Sequence, residues 1–411
     1  MKTEIFIARR LRLAPGDGAR KSPAVGIAVG GVALAVVVLM ISMSVVVGFQ
    51  EAITHKVTGF EAQLTIGPLG RYVEGEKDVV VFAPAMFEAV SEAIPDGKVA
   101  MTIRQPVVLK TPDNFAGVVL NGYGEGHDSS FEQGNLIEGS LGESPTDIVI
   151  SSLTAGKLSL SVGDKVDGCF FVDGALKLRR LEVCGIYSSN FGDYDRLTAY
   201  GDYDMLRKLR RLEVDEADAV EIRGLSMADI DSASKRLQET LSRRYASGEL
   251  ASGVNVTTVF DTGAMYFNWL ALLDANVVVI LVIMSLVSGF TLISCVFILI
   301  LQRVRMIGVL KSLGATDSQI RRIFMLLGGR VIGLGLLIGN VVGLGLLLLQ
   351  KSLHIIPLDP EAYFLAYVPV EINLWHIIAI NGGAVFLGAL LMLIPASLVS
   401  RISPAKTMHY E

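Results

Sequence analysis

Apolar runs are spread very unevenly along this chain. One covers residues 23–48, three more crowd together after residue 265, and a long water-compatible stretch lies between them. A helix rises about 1.5 Å per residue, so roughly 20 apolar residues cross about 30 Å of hydrocarbon. Residues 24–47 carry no charge, and the run exceeds the roughly 7–15-residue core of a cleaved secretory signal, which predicts a retained span. Residues 268–301 are longer than crossing requires and hold one charge, Asp274, near the outer end, so this helix is expected to project as a stalk. Residues 323–349 and 374–399 complete the set. Pro395, lacking an amide hydrogen, is expected to end or kink the last one. Lipid tolerates backbone whose hydrogen bonds close within its own segment, so all four runs are read as helices.

Between the first and second runs the pattern changes to short alternating segments separated by turns. Residues 147–151, 162–166 and 181–186 read as strands. Residues 85–94 and 227–245 show helical spacing, the latter with Ile230, Ala233, Leu237 and Leu241 on one face. The expected fold class is an α-helical integral membrane protein with four transmembrane helices in a 1+3 arrangement and a large mixed α/β periplasmic domain inserted between helices 1 and 2.

Charge sets the orientation. Charged residues make up 19% of the chain and fall almost wholly outside the four runs. Basic residues resist translocation; Lys2, Arg9, Arg10, Arg12, Arg20 and Lys21 precede the first run, Arg303, Arg305, Lys311, Arg321 and Arg322 separate the second from the third, and Arg401 and Lys406 follow the fourth. These segments are expected in the cytoplasm, with both termini. The loop 351–373 has one lysine against Asp359, Glu361 and Glu371, which places it and residues 49–265 outside. No basic stripe interleaved with aromatics appears, so nucleic acid is not an expected partner.

Catalytic signatures are lacking. No phosphate-cradling Gly-x-x-x-x-Gly-Lys-Ser/Thr, His-Glu-x-x-His, Cys-x-x-Cys or Gly-x-Ser-x-Gly occurs. No catalytic or metal-binding residue is therefore expected, and any ATP with its magnesium must be handled by another subunit. Ionisable residues inside spans mark ion pathways; here Asp274 and Arg330 lie close to span ends, which disfavours a proton-coupled carrier. Cys169 and Cys184 share the exported domain, where an oxidising compartment would permit a disulfide. A hairpin turning at residues 173–176 would instead pair Cys169 with a residue near Arg180, leaving two small buried side chains. Gly335, Gly339 and Gly343 recur at four-residue spacing, which lets helix backbones approach, and Gly26 and Gly30 invite the same packing role.

Between the second and third runs, residues 302–324 begin as a short amphipathic helix that Gly314 is placed to stop before another starts at Asp317. Its apolar face could lie on the membrane or dock in a groove of a cytosolic partner.

The stretch from Arg305 to Thr316, Arg-Met-Ile-Gly-Val-Leu-Lys-Ser-Leu-Gly-Ala-Thr, closely resembles the coupling helix of MacB/FtsX-like ABC transporter permeases, with Gln302 and Met306 standing where that family commonly has Glu. Phe6-Ile-Ala-Arg-Arg-Leu11, Val47-Gly-Phe49, Gly59-Phe60, residues 148–166, Cys184-Gly-Ile-Tyr187 and Ile402-Ser-Pro-Ala-Lys406 are similar to the lipoprotein-releasing, Lol-type branch. The resemblance implies docking on a cytosolic ABC ATPase dimer through Ile307, Gly308, Leu310, Lys311, Leu313, Gly314 and Ala315. It implies no cofactor on this chain, a second permease subunit, identical or paralogous, and location in the inner membrane among its lipids. It further implies extraction of lipoproteins into an apolar cavity and delivery to a periplasmic carrier. Met43, Val46, Val47 and Phe49, with Trp269, Leu270, Leu273 and Val277, are the cavity candidates, chosen for outer-leaflet depth and apolar bulk. The implied organisation is a cytoplasmic amphipathic helix (1–22), spans at 23–48, 266–302, 323–350 and 374–399, a MacB-like core domain (49–265), the coupling segment (303–322), an outer loop (351–373) and a tail (400–411). A MacB-like efflux permease for peptides or macrolides, or an FtsX-like signalling permease controlling a cell-wall hydrolase, are the alternatives.

Overall fold

The computed structural model describes residues 23–69, 79–302 and 304–398; the expected leading helix and the tail lie outside the described residues. The chain divides into two compact units, one comprising Glu51–Trp269 with Leu358–Ala366, the other holding residues up to Gln50, Leu270–Pro357 and Tyr367 onward.

The first unit is mixed α/β. Its strands are β1 (Leu64–Pro68), β2 (Val80–Val81), β3 (Lys98–Lys110), β4 (Phe115–Tyr123), β5 (Leu136–Gly139), β6 (Asp147–Ser151), β7 (Lys165–Val172), β8 (Ala175–Tyr187), β9 (Thr198–Gly201), β10 (Glu216–Ala217), β11 (Ala219–Arg223) and β12 (Val254–Thr258). The main sheet runs β12-β1-β11-β3-β4-β9-β6-β8-β5, while β2 pairs with β10. Because β7 pairs with both β3 and β8, the path β3-β4-β9-β6-β8-β7 returns to β3 and encloses a core of Ile103, Leu109, Leu120, Ile150, Phe170 and Leu181. Strand alternation explains which side chains enter it. In β8 the C-terminal half alternates, burying Leu181, Val183 and Tyr187, whereas the half nearer the turn stays exposed.

Helix Ile230–Ala246 buries Ile230, Ala233, Leu237 and Leu241 at helical spacing. Glu221, 1% exposed, accepts from Arg104 and Arg223, and Arg223 donates to the carbonyls of Thr58 (2.7 Å) and Gly59 (3.1 Å). The sheet thereby holds the end of the first long helix. Of residues 162–166, Lys165 and Val166 open β7, while 162–164 form the turn before it: Gly163 has φ 93° and the Ser161 amide donates to Asp164. The Val-Gly-Asp-Lys-Val alternation imitates a strand, but a positive φ there calls for glycine. Cys169 lies opposite Leu178 in the β7–β8 register, and both Cys169 and Cys184 are free thiols.

Among the described residues four helices are long and apolar enough to cross a membrane, taken from Pro23–Phe60, Ala264–Gln302, Asp317–Leu353 and Leu374–Leu398; the second unit holds the greater part of each, with Glu51–Phe60 and Ala264–Trp269 belonging to the first. The first two have 38 and 39 residues, roughly 57 Å of helix each and well beyond the hydrocarbon thickness. Leu374–Leu398 continues past Pro395 instead of ending there; a proline removes a bond to the preceding turn and does not forbid the next one. Asn340 and Asn381 exchange side-chain hydrogen bonds (2.6 and 2.9 Å) and tie the third long helix to the fourth.

Candidate functional site

A short helix, Val304–Ser312, lies between the second and third long helices. Gly314 stops it with φ 90°, the left-handed conformation that terminates helices. Thr316 then caps Asp317–Leu353 through a reciprocal box with Gln319. Between these two signals the short helix is fixed in direction. Ile307 is fully buried in a cluster with Ile300, Ile320 and Phe324, and Gly308 is buried beside it. Lys311 bridges Asp317 at 2.9 Å with 11% of its side chain exposed. Leu310 and Ala315 are half-buried. Of the residues expected to dock a partner, Ile307 and Gly308 therefore face the bundle. The outward side is formed by Leu313, 79% exposed, and by Val309, 55% exposed, with Gly314 beyond them. Val309 was absent from the sequence expectation, although its four-residue spacing from Leu313 puts both on one face.

The third long helix meets the first along glycines. A Cβ at Gly335 would lie 2.7 Å from Val32, at Gly339 2.9 Å from Val36, and at Gly343 3.3 Å from Met40. Val25, Ala28, Val32, Val36 and Met40 supply the first helix's buried face. Among the described residues Gly26 and Gly30 have nothing within 4 Å and stand on the exposed side with Ile27 and Leu34, so the expected packing does not reach them there.

The cavity candidates differ in burial. Phe49 and Leu270 are buried, and Met43, Val46, Val47, Trp269, Leu273 and Val277 are half-buried. The large uncovered face belongs to the other side of Ala264–Gln302, where Val279, Ile283, Leu286 and Phe290 follow at helical spacing, each more than half exposed and none near a charge on that helix. No group of three or more His, Cys, Asp or Glu able to hold a metal occurs among the described residues.

Compared with known families, residues 25–240 match the MacB-like periplasmic core domain, and residues 278–404 match the FtsX-like permease C-terminal family. The chain belongs to the FtsX-like permeases with a MacB-like core domain. Among similar permeases, the lipoprotein-releasing system transmembrane protein LolC of Xylella fastidiosa (strain 9a5c) is 22% identical, covering 93% of this chain and 92% of the relative. LolC of Neisseria meningitidis serogroup B is also 22% identical, covering 94% of each. The periplasmic region of MacB from Actinobacillus actinomycetemcomitans aligns over 53% of this chain and 98% of that one, at 14% identity and a TM-score of 0.34, a likeness too distant to carry the assignment. In this permease the β7–β8 hairpin leaves Phe171, Leu176 and Leu178 at least 60% exposed. The register puts Phe171 opposite Leu176, on the face shared with Leu178. Sequence reading passed over this strip because an alternating strand is assumed to bury its apolar side. Cys184 donates to the Ile148 carbonyl at 3.3 Å, and burial, with Asp147 adding to it, pushes its thiol up to about 11.

Proposed function

We propose that this chain is the permease subunit of an ABC transporter that works by transmitting movement, drawing lipoproteins from the inner membrane and passing them to a periplasmic carrier. The observation that carries the reading is the uncharged, uncovered face of Ala264–Gln302. Withdrawing an acyl chain from lipid costs about 0.8 kcal/mol per CH₂, so a subunit that extracts lipid anchors needs an apolar surface of this kind within the bilayer. The LolC names of the relatives supply the substrate class.

In this reading the spans are arranged 1+3, both termini and the short helix Val304–Ser312 are cytoplasmic, and the α/β unit is periplasmic. A separate ATPase dimer binds ATP and magnesium and grips Val309 and Leu313. Closure of that dimer pushes the short helix; buried Ile307 passes the push to the bundle, and the glycine seam passes it to the first span. The two long helices act as levers on the outer domain. The apolar faces of two permease subunits, identical or paralogous, close on the acyl chains and drive them outward. The exposed apolar strip at Phe171, Leu176 and Leu178 suits a carrier that must itself accept acyl chains.

Depleting the chain in cells and fractionating the membranes tests this. Lipoproteins destined for elsewhere should accumulate in the inner membrane. Normal lipoprotein location, with loss of drug or peptide export or of cell-wall hydrolase activity, would refute it in favour of the efflux or the signalling reading.

A further inference from the structure

The loop between the third and fourth long helices contributes Leu358–Ala366 to the compact α/β unit, and one side chain accounts for how it is held. Lys56 lies near the C-terminal end of Pro23–Phe60 and donates to three main-chain carbonyls: Ser189 at 2.5 Å, Phe364 at 2.7 Å and Asn190 at 3.4 Å. An ammonium has three N–H groups and no acceptor, so each of its donors has a carbonyl.

Two of those carbonyls belong to residues in the left-handed region, Asn190 at φ 55° and Phe364 at φ 60°. Phenylalanine adopts that conformation when its surroundings over-determine it. Here they do, because its ring meets Phe191 edge-on at 5.0 Å, Tyr266 at 5.5 Å and Trp269 at 6.4 Å. The 188–191 loop is fixed from its other side by Asp195, which accepts from the Ser189 hydroxyl at 2.6 Å and amide at 3.2 Å. Burial raises the Asp195 carboxyl above its ordinary range, against the bonds from Ser189 and the attraction of Lys56. Tyr266, on the second long helix, donates to Asp193 at 3.1 Å. Elements from the first long helix, the second long helix, the sheet domain and the outer loop thus converge on one amine and one ring.

We propose that Lys56 is a positioning residue for force transmission: by holding Phe364 and the 188–191 loop together, it makes the loop between the third and fourth spans travel with the outer domain. The chain enters and leaves that loop segment next to Pro357 and Tyr367, whose backbones bridge each other, and the Asn340–Asn381 clasp makes the two spans below a tied pair. Movement of the first span is then delivered to the outer ends of three spans. The functional half of this inference rests on the permease reading; the latch itself does not.

The test uses the full chain assembled with its ATPase and partner permease in lipid nanodiscs, comparing wild type with Lys56→Met, which keeps the stem and removes the donors, and with Phe364→Leu. Hydrogen exchange at residues 358–366 and 188–191 should accelerate about tenfold in Lys56→Met. ATP hydrolysis should stay within about twofold of wild type, which certifies assembly, while lipoprotein released per ATP falls about fivefold or more. A cross-link between cysteines placed at 190 and 364 in the Lys56→Met background should restore release. Phe364→Leu, which leaves the amine in place, should speed exchange at 358–366 and lower release per ATP in the same sense. Unchanged exchange in both variants overturns the latch, and faster exchange with wild-type release per ATP overturns its role in transmission. A wild-type complex that hydrolyses ATP and releases no lipoprotein refutes the permease reading instead, leaving the exchange data to decide the latch.

Discussion

Replacing Gly335 with alanine forces a Cβ into space that the first long helix already fills. The new atom would lie 2.7 Å from both Cβ and Cγ1 of Val32 and 3.2 Å from the Val29 carbonyl oxygen. Carbon atoms rest about 3.5–4.0 Å apart, so the helices must part by roughly 1 Å. Val32 Cβ is bonded to its own helix backbone and cannot swing aside. Overpacking of this kind costs about 1–3 kcal/mol, opposed by the gain of about 1 kcal/mol that alanine has over glycine in a helix. Gly333 sits two residues away on the same helix with nothing within 4 Å. Gly333→Ala therefore receives the propensity gain without the clash, and the difference between the two variants isolates packing at about 1–3 kcal/mol. Thermal or SDS-induced unfolding of the detergent-purified chain measures it: Gly335→Ala should melt below wild type and Gly333→Ala at or above it. Equal melting of the two variants, or the reverse order, would refute the seam.

The outward side of the short helix predicts that Leu313→Asp weakens co-purification of the ATPase subunit about tenfold while leaving the melt unchanged, whereas Ile307→Asp, placing a charge at a fully buried position, should destabilise the chain itself. Asn340→Leu alone takes the donor from the Asn381 side-chain oxygen, while its Nδ2 keeps the Ile377 carbonyl, and should cost about 1 kcal/mol; the double variant with Asn381→Leu should cost less than the two singles together, read from a double-mutant cycle of unfolding free energies. Burial pushes the Cys184 thiol up to about 11 from an ordinary 9.0, so at pH 8 it stays protonated, and iodoacetamide should modify it about a hundredfold more slowly than a free cysteine until the chain is denatured.

How much of this the sequence disclosed depended on whether the cause was local. The four long helices follow from run length and lack of charge; the third outruns its apolar run because caps set its ends, with Thr316 starting it at Asp317 and His354, at φ 47°, closing it after Leu353. The stop at Gly314 is likewise a one-residue cause. Which face of Val304–Ser312 points outward is not, since Ile307, Val309 and Leu313 are all apolar and what covers Ile307 comes from Ile300, Ile320 and Phe324. Gly26 and Gly30 share the spacing of Gly335 and Gly339, yet face away from the other described residues because Val25, Ala28 and Val32 hold the packed side. The anchoring of Leu358–Ala366 left no pattern at all; it depends on Lys56 and a phenylalanine at positive φ, residues distant in sequence whose meeting is tertiary.

The central claim is that this chain is moved by a separate ATPase and acts on lipid-anchored cargo. Proteoliposomes carrying an acylated lipoprotein, the purified chain, its ATPase, its partner permease and a soluble carrier put that claim to the most direct measurement. The account predicts that lipoprotein appears on the carrier when ATP and the ATPase are both present, and that the chain without the ATPase neither hydrolyses ATP nor releases cargo. Hydrolysis by the chain alone, or ATP turnover by the full assembly with every lipoprotein left in the bilayer, would contradict it.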